Sequence, residues 1–365
     1  MRVLVVNAGS SSLKLRLVEP PEGLLWSCDV PGGNGRFDAG AVADAVAEAR
    51  RSAGEADAVG HRIVHGGTEF SAPVRIDPAV EQRLRALTDL APLHQPKSLA
   101  ALDAVTAALP DLPAVACFDT VFHATLPAAA ATYAVPREWR ESFGLRRFGF
   151  HGLSHAYVSR RVQELAPTAR RVVSCHLGAG ASLAAILDGS CVDTTMGFTP
   201  LEGLVMATRS GSVDPGLLLW LQEHTGLREG DVAEALEHQS GLLALAGTAD
   251  MREVLDRAAA ADPDAALALA VYLHRLRGLI AAMTASLGGL DVLAFTGGVG
   301  ERAPRIRAAA ADGLGYLGVA VDGPRNDGAD GVTDISAEAA RARTWVIPAR
   351  EDLEIARAVA DLLSG

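Results

Sequence analysis

From residue 3 onward the chain alternates between apolar runs and turn-rich breaks. Residues 3 to 6 are aliphatic, NAGSSS follows, and then Leu13, Leu15 and Leu17 alternate with Lys14 and Arg16 before Pro20 and Pro21. That pattern predicts a strand, a turn and a second strand. The same grammar returns at RVVSCHLGAGASLAAILDGSCV, residues 171 to 192, where an apolar strand meets a Gly-rich turn, a second apolar run, an Asp188-Gly189 hairpin signal and a third strand. The chain therefore reads as internally duplicated. Apolar periodicity predicts helices over Ala41–Arg51 and Lys97–Leu109 in the first half, and over Leu217–Thr225, Leu267–Leu287 and Pro304–Gly313 in the second. Two α/β domains, each opening with a hairpin, satisfy this order. A third Gly-rich turn, FTGGVGE at residues 295 to 301, follows the strand-like DVLAF and precedes a helix expected from near Ala303. Strand, glycines and helix N-terminus suit a phosphate or an adenosine, although a turn needing positive φ explains the glycines equally well.

Composition narrows the classes. At 365 residues, two domains are expected, and 49% hydrophobic with 21% charged residues describes a helix-rich globular protein. A formal charge of −11 without any Lys/Arg block reads against a nucleic-acid partner, so any basic site must be local. Cys28, Cys117, Cys175 and Cys191 form no CxxC pair and read as buried thiols in a reducing compartment. Only four apolar residues separate Arg2 from Asn7, and no uncharged apolar run of about 18 residues is seen later, so a cytoplasmic protein without a membrane segment is expected.

Several segments carry chemistry. The first hairpin is not a P-loop, which needs GxxxxGK[ST] and a following helix. Its Ser10, Ser12 and Lys14 nevertheless suit an oxyanion, against the plain reading of a polar turn. Arg62 in VGHRIVHGG and Arg209 in MATRSGSVDPG each sit where a strand-like run becomes a turn. A guanidinium binds a carboxylate or a phosphoryl oxygen in a planar fork, so two can hold both partners of a transfer; structural ion pairs are the alternative. Asp119 ends the strand-like run of ACFDTVFH, where a carboxylate of an open α/β sheet meets the crevice. Glu351 and Asp352 open the last helix; one carboxylate from there and one from Asp119 suit Mg²⁺, or Glu351 and Asp352 simply compensate the helix N-terminus. In FGFHGLSH, His151 and His155 lack the glutamate of HExxH, which reads against zinc. His151 suits a transferring phosphoryl group and His155 suits helix packing. His94 and His176 lie beside turns and stay open.

The ordered set VNAGSSSLK, GHRIVHGG, APLHQP, FDTVFH, FGFHGLSH, CHLGAG, GFTPLEGLVMATRSG and FTGGVGE resembles the acetate kinase family, within the acetate and sugar kinase, chaperone and actin superfamily. The resemblance runs from Asn7 to Glu354. It implies a duplicated ribonuclease H-like (actin-like) two-domain α/β fold with an interdomain active-site cleft. The expected domains are residues 1–123, residues 124–353, and a C-terminal helix over 354–365 that packs back on the first. It also implies reversible, direct in-line transfer from ATP to acetate, giving acetyl phosphate for acetyl-CoA biosynthesis, with Mg²⁺ (or Mn²⁺ in its place) and a homodimer. Carried over by motif, Arg62, Asp119, His151 and Arg209 are catalytic. Asn7, Ser10, Ser12 and Lys14 hold phosphate, and Asn7 and Glu351 hold the metal. Val64, Leu93, Phe150 and Pro200, with Arg62, form the acetate pocket. His176, Leu177, Gly178, Ala179 and Gly180 form the second phosphate loop. Asp250, Met251 and Arg252, together with Gly297, Gly298, Val299 and Gly300, form the adenosine site.

The chain departs from the family pattern at Ala179 for asparagine, Ser212 for aspartate, Gln95 for asparagine, Arg302 for asparagine, and Arg350 for a polar neutral residue. An amide lost at Ala179 removes a bond worth about 1–3 kcal/mol to a charged oxygen, which bears on the phosphoryl donor. Alternative readings are a propionate- or butyrate-preferring kinase and a non-catalytic nucleotide-binding relative; the latter predicts loss of Arg62, Arg209 or Asp119, and all three are present.

Overall fold

The computed structural model describes residues 1–9, 12–21, 23–33, 36–90 and 95–364. Ser10, Leu93 and His94 of the sequence reading lie outside these. In the first sheet the strands are β1 (Val3–Ala8), β2 (Ser12–Glu19), β3 (Gly23–Gly33), β4 (Arg36–Phe37), β5 (Ala58–Ile63), β6 (Val74–Arg75) and β7 (Ala114–Phe118), in spatial order β4-β3-β2-β1-β5-β7-β6. β1, β2 and β3 form an antiparallel meander, and β1, β5 and β7 run parallel. Period-two alternation puts Leu13, Leu15 and Leu17 of β2 into the core while Lys14 points outward.

Alternation also gives the sheet two different faces. Leu4, Val6 and Val59 join Val42, Ala45, Ala101 and Val105, from the helices Ala39–Ala53 and Gln95–Ala108, in one apolar cluster. The opposite face carries Val3, Val5 and Asn7 beside Gly60 and Arg62, and the C-terminal helix Glu351–Ser364 covers it. That helix lies so close that a Cβ at Gly60 would stand 2.5 Å from Ile355 Cγ2 and 2.9 Å from Val359 Cγ2.

The second sheet repeats this plan. β8 (Arg171–Leu177), β9 (Ala181–Leu187), β10 (Ser190–Thr194), β11 (Val292–Thr296), β12 (Thr333–Asp334) and β13 (Arg343–Val346) lie in order β10-β9-β8-β11-β13-β12. Again three strands form an antiparallel meander and three (β8, β11, β13) run parallel, the ribonuclease H-like order twice over. The β9–β10 turn is made by Asp188 and Gly189, both at positive φ (49° and 85°), as an Asp-Gly hairpin requires.

The chain divides into two compact units: residues 1–124, 150–157 and 350–365 form one, and residues 125–149 and 158–349 the other. Two expectations therefore change. Residues 150–157, expected in the second domain, group with the first unit, because Gly152 N–H donates to the Asp119 carbonyl (2.8 Å) with no room for a Cβ between them. The last helix starts at Glu351 rather than at 354. The helix Pro263–Leu287 is long and apolar enough by length and composition to cross a membrane, although Arg275 and Arg277 interrupt its apolar run. Its buried positions, among them Ala265, Ala268, Tyr272, Leu276, Ile280 and Met283, recur every three or four residues and face the second sheet, while Arg277 bonds the Ala309 carbonyl.

The Gly60 contact sets a stability test. Gly60→Val should lower the unfolding free energy by about 1–3 kcal/mol through overpacking against Ile355 and Val359, read as a lower urea midpoint at unchanged slope.

Candidate active site

The parallel strands β1, β5 and β7 deliver Asn7, Arg62 and Asp119 to one edge of the first sheet, at the carboxyl ends where open α/β sheets hold ligands. Arg62 Nε donates to Asp119 Oδ1 at 3.0 Å, Nη2 donates to Asp119 Oδ2, and Nη1 donates to Asn7 Oδ1 at 3.1 Å. Asn7 Nδ2 in turn donates to Glu351 Oε2 at 3.0 Å, and that oxygen lies 3.9 Å from Arg62 Nε. Side-chain exposure is 1% for Asp119 and 16% for Arg62, so the pair is nearly dry. Burial pushes the Asp119 carboxyl up, with Arg62 opposing and Glu351 adding to the rise. Burial also works against the Arg62 charge, but Asp119 and Glu351 outweigh it and hold the guanidinium protonated. Removing one member would strand a buried charge, at a cost of about 3–5 kcal/mol.

Other first-unit residues gather around this cluster in different degrees. Lys14 is paired with Asn7 across β1 and β2, which puts both on one face. Gly9 N–H closes the hairpin turn on the Ser12 carbonyl at 2.9 Å. His151 takes φ 56° and immediately precedes Gly152, so its turn is anchored at the end of β7. His155 is buried with its ring 5.8 Å from that of His123, whose Nε2–H donates to the Phe150 carbonyl at 2.9 Å. Val64 and Phe150 are buried, and the Phe150 ring lies 5.4 Å from that of His65. Asp352 accepts from Arg350 through both of its oxygens (2.8–3.2 Å). Gly152 was legible only as part of FGFHGLSH; nothing in its spacing announces the contact with Asp119.

In the second unit, three separated Gly-rich or polar segments line one cavity of about 870 Å³. Gly178 and Ala179 come from the β8–β9 turn, Asp250, Met251 and Arg252 from the start of the helix Met251–Ala259, and Gly298 and Val299 from the segment after β11. His176, Leu177, Gly180, Gly297 and Gly300 are not part of its wall; Leu177 is wholly buried and Gly297 packs on its backbone, where a Cβ would stand 2.8 Å from the Leu177 carbonyl. Sequence reasoning missed Ala207, Leu242, Leu255 and Tyr272 in this wall. Asp250 caps its helix at Arg252 N–H (2.9 Å) and pairs with the Arg252 guanidinium, which holds its carboxyl at about 2. The helix expected from near Ala303 is present, starting at Pro304, but the glycines of FTGGVGE before it do not form a turn. They are themselves the helix Gly297–Arg302, and a separate helix starts at Pro304. Pro304, which has no N–H for the Gly300 carbonyl, makes the break, and Arg307 Nη1 caps the carbonyls of Gly300 and Glu301 at 2.9 and 2.7 Å.

Arg209 is half-buried, and its Nη1 donates to the Pro200 carbonyl at 3.3 Å. Burial pulls its guanidinium pKa down from the usual value, with Glu237 opposing. The unusual residues also find places. The Ala179 carbonyl accepts from Ala207 N–H at 3.1 Å, a bond that needs no side chain. Ser212 Oγ accepts from Gly203 N–H at 3.0 Å, and Gln95 Nε2 donates to the Leu84 carbonyl at 3.3 Å. Arg302 lines the cavity.

A family model described as the acetokinase family matches residues 39–357. Acetate kinases of Leifsonia xyli and Streptomyces coelicolor are 44% and 42% identical to this chain, over 97% and 100% of it and 97% of each of them. The crystal structure of Porphyromonas gingivalis acetate kinase is similar with a TM-score of 0.90 at 35% identity, over 99% of both chains. A propionate kinase from Francisella tularensis is similar with a TM-score of 0.90 at 34% identity, over 98% of both. A ROK hexokinase from Thermus thermophilus, 15% identical with a TM-score of 0.51, shares the fold alone.

Two buried histidines make stability fall on acidification. Burial lowers His61 and His123 to about 4. The unfolded chain takes up these protons near 6.5, so each site costs about 1.4 kcal/mol per pH unit as pH falls from about 6.5 towards 4. His61→Phe should reduce the pH dependence of the urea-unfolding free energy by one proton across this window.

Proposed function

As the chain belongs to the acetokinase family, we propose that it is an acetate kinase, transferring the terminal phosphoryl group of ATP to acetate, reversibly, to give acetyl phosphate and ADP. The observation that carries this reading is Arg62, pinned by Asp119 and Asn7 with Glu351 nearby. Acetate is already ionised at pH 7, so its oxygen needs no general base. The work is to bring two anions together and to stabilise charge on the phosphoryl oxygens. Arg62 and Arg209 supply fixed positive charge for that, and His151 a hydrogen bond to the phosphoryl group. Asp119 is committed through both oxygens to Arg62, which supports a positioning role rather than proton transfer.

The first hairpin, with Ser10, Ser12 and Lys14, is assigned to phosphate, and the second-unit cavity to the nucleoside. The donor set also fits Mg²⁺. Glu351 and the Asn7 side chain offer one carboxylate and one amide, and a cation that keeps its waters and phosphate oxygens needs few protein ligands. When bound, it would neutralise phosphate charge. Among the described residues no group of three His, Cys, Asp or Glu gathers to hold a metal.

Val64 and Phe150 are assigned to the acetate methyl. The similarity to a propionate kinase favours some tolerance of propionate, since one methylene discriminates by only about 1–3 kcal/mol. Retention of Arg62, Asp119 and Arg209 argues against a non-catalytic relative. A homodimer is supported by the helix Pro215–Thr225, which leaves Leu217, Leu219 and Trp220 exposed at 46%, 62% and 53%. A cytoplasmic location completes the reading.

Trapping acyl phosphate as its hydroxamate, with acetate, propionate and butyrate against ATP, GTP and pyrophosphate, tests the activity. Acetate with ATP should give product with Mg²⁺ present; no product from any pair refutes the kinase. Arg62→Ala and Arg209→Ala should each lower kcat by roughly 10²–10³, and full activity of Asp119→Asn at saturating Mg²⁺ would remove its role.

A further inference from the structure

Within the second unit, one half-buried polar clamp ties the segment before His151 to the loop before Arg209. Arg147 Nη2 donates to Glu202 Oε1 at 2.7 Å, and its Nη1 donates to the carbonyls of Thr195 and Met196 at 3.2 and 2.9 Å. The Tyr133 hydroxyl donates to Glu202 Oε2 at 2.7 Å and accepts from Phe198 N–H at 2.9 Å, while the Arg147 guanidinium lies over the Tyr133 ring. Burial, with the Glu202 bond, pushes the Tyr133 hydroxyl up to about 12, so it remains a donor throughout the working range.

Space around the clamp is tight. A Cβ at Gly197 would stand 1.9 Å from Glu202 Oε2 and 2.2 Å from the Tyr133 hydroxyl. The loop from Thr195 to Gly203 is therefore fastened at Thr195, Met196, Phe198 and Glu202, and Ser212 holds its end at Gly203 N–H. Between the fastenings lies Pro200, whose carbonyl accepts from Arg209 Nη1. An arginine side chain has many rotamers, and a displacement of about 1 Å from productive geometry costs on the order of 10²-fold in rate.

We propose that Tyr133, Arg147 and Glu202 are positioning residues for the transfer reaction, fixing the Pro200 carbonyl and through it the pose of the Arg209 guanidinium. The proposal rests on Arg209 acting in transfer. None of the three needs to touch substrate.

A double-mutant cycle in the full-length protein tests it. Glu202→Gln should lower kcat roughly 10–10²-fold, and Tyr133→Phe, which removes one hydroxyl, roughly 3–10-fold, with the KM for ATP nearly unchanged. In an Arg209→Ala background, either substitution should produce no further fall in kcat, because the group they position is gone. A full-sized second fall there overturns the proposal, as does a change in KM for ATP or in thermal midpoint with kcat intact. Tyr133→Phe, which keeps the ring under Arg147, carries the test should Glu202→Gln fold poorly. If Arg209→Ala alone keeps wild-type kcat, the fault lies in the reading of Arg209, and the clamp has nothing to position.

Discussion

A guanidinium and a carboxylate buried at the ends of neighbouring parallel strands set the terms for the first unit. Arg62 and Asp119 are stable there only as a pair, because either one alone would be a stranded charge. Strand alternation puts Arg62 and Asn7 on the face that the last helix covers, so Glu351 arrives beside them only if that helix is seated. Gly60 permits that seating, and Gly152 permits the His151 turn to rest on the Asp119 carbonyl. Two glycines with nothing to donate to chemistry thus decide where the charged groups stand.

The second unit uses the same sheet order for a different end. Where the first sheet terminates in charged side chains, the second terminates in glycine and alanine, and its parallel strands deliver backbone to the cavity at Gly178, Ala179 and Gly298. A loop without side chains lets a phosphate or sugar approach N–H groups closely. The Ala179 bond to Ala207 shows that the turn keeps its backbone partner without an asparagine side chain. Duplication of the fold has therefore supplied one unit rich in fixed charge and one rich in accessible backbone.

The paired hairpins were legible because alternation and turn chemistry are local: Leu13, Leu15 and Leu17 declare one face, and Asp188-Gly189 declares a turn. The motifs naming Arg62, Asp119 and Asn7 were legible together, although their hydrogen bonds connect residues more than fifty positions apart and no spacing rule could draw them. Distance also hid the rest. The glycine helix after β11 depends on Arg307 reaching back to cap it, and the grouping of residues 150–157 depends on one backbone bond to Asp119. Tyr133, Arg147 and Glu202 are unremarkable in sequence, since an aromatic, an arginine and a glutamate become a clamp only when Gly197 brings them together.

The cradle of Asn7 and Asp119, with Glu351 beside it, holds one guanidinium, and the proposed transfer needs that guanidinium in place. Chemical rescue measures this directly, by adding guanidinium ion to the Arg62→Ala protein and following acyl phosphate formation. Guanidinium should restore kcat in a saturable manner, and the restoration should be lost when Asp119→Asn is added. Absence of rescue in Arg62→Ala, or equal rescue with and without Asp119, would mean that the cradle does not position a catalytic guanidinium.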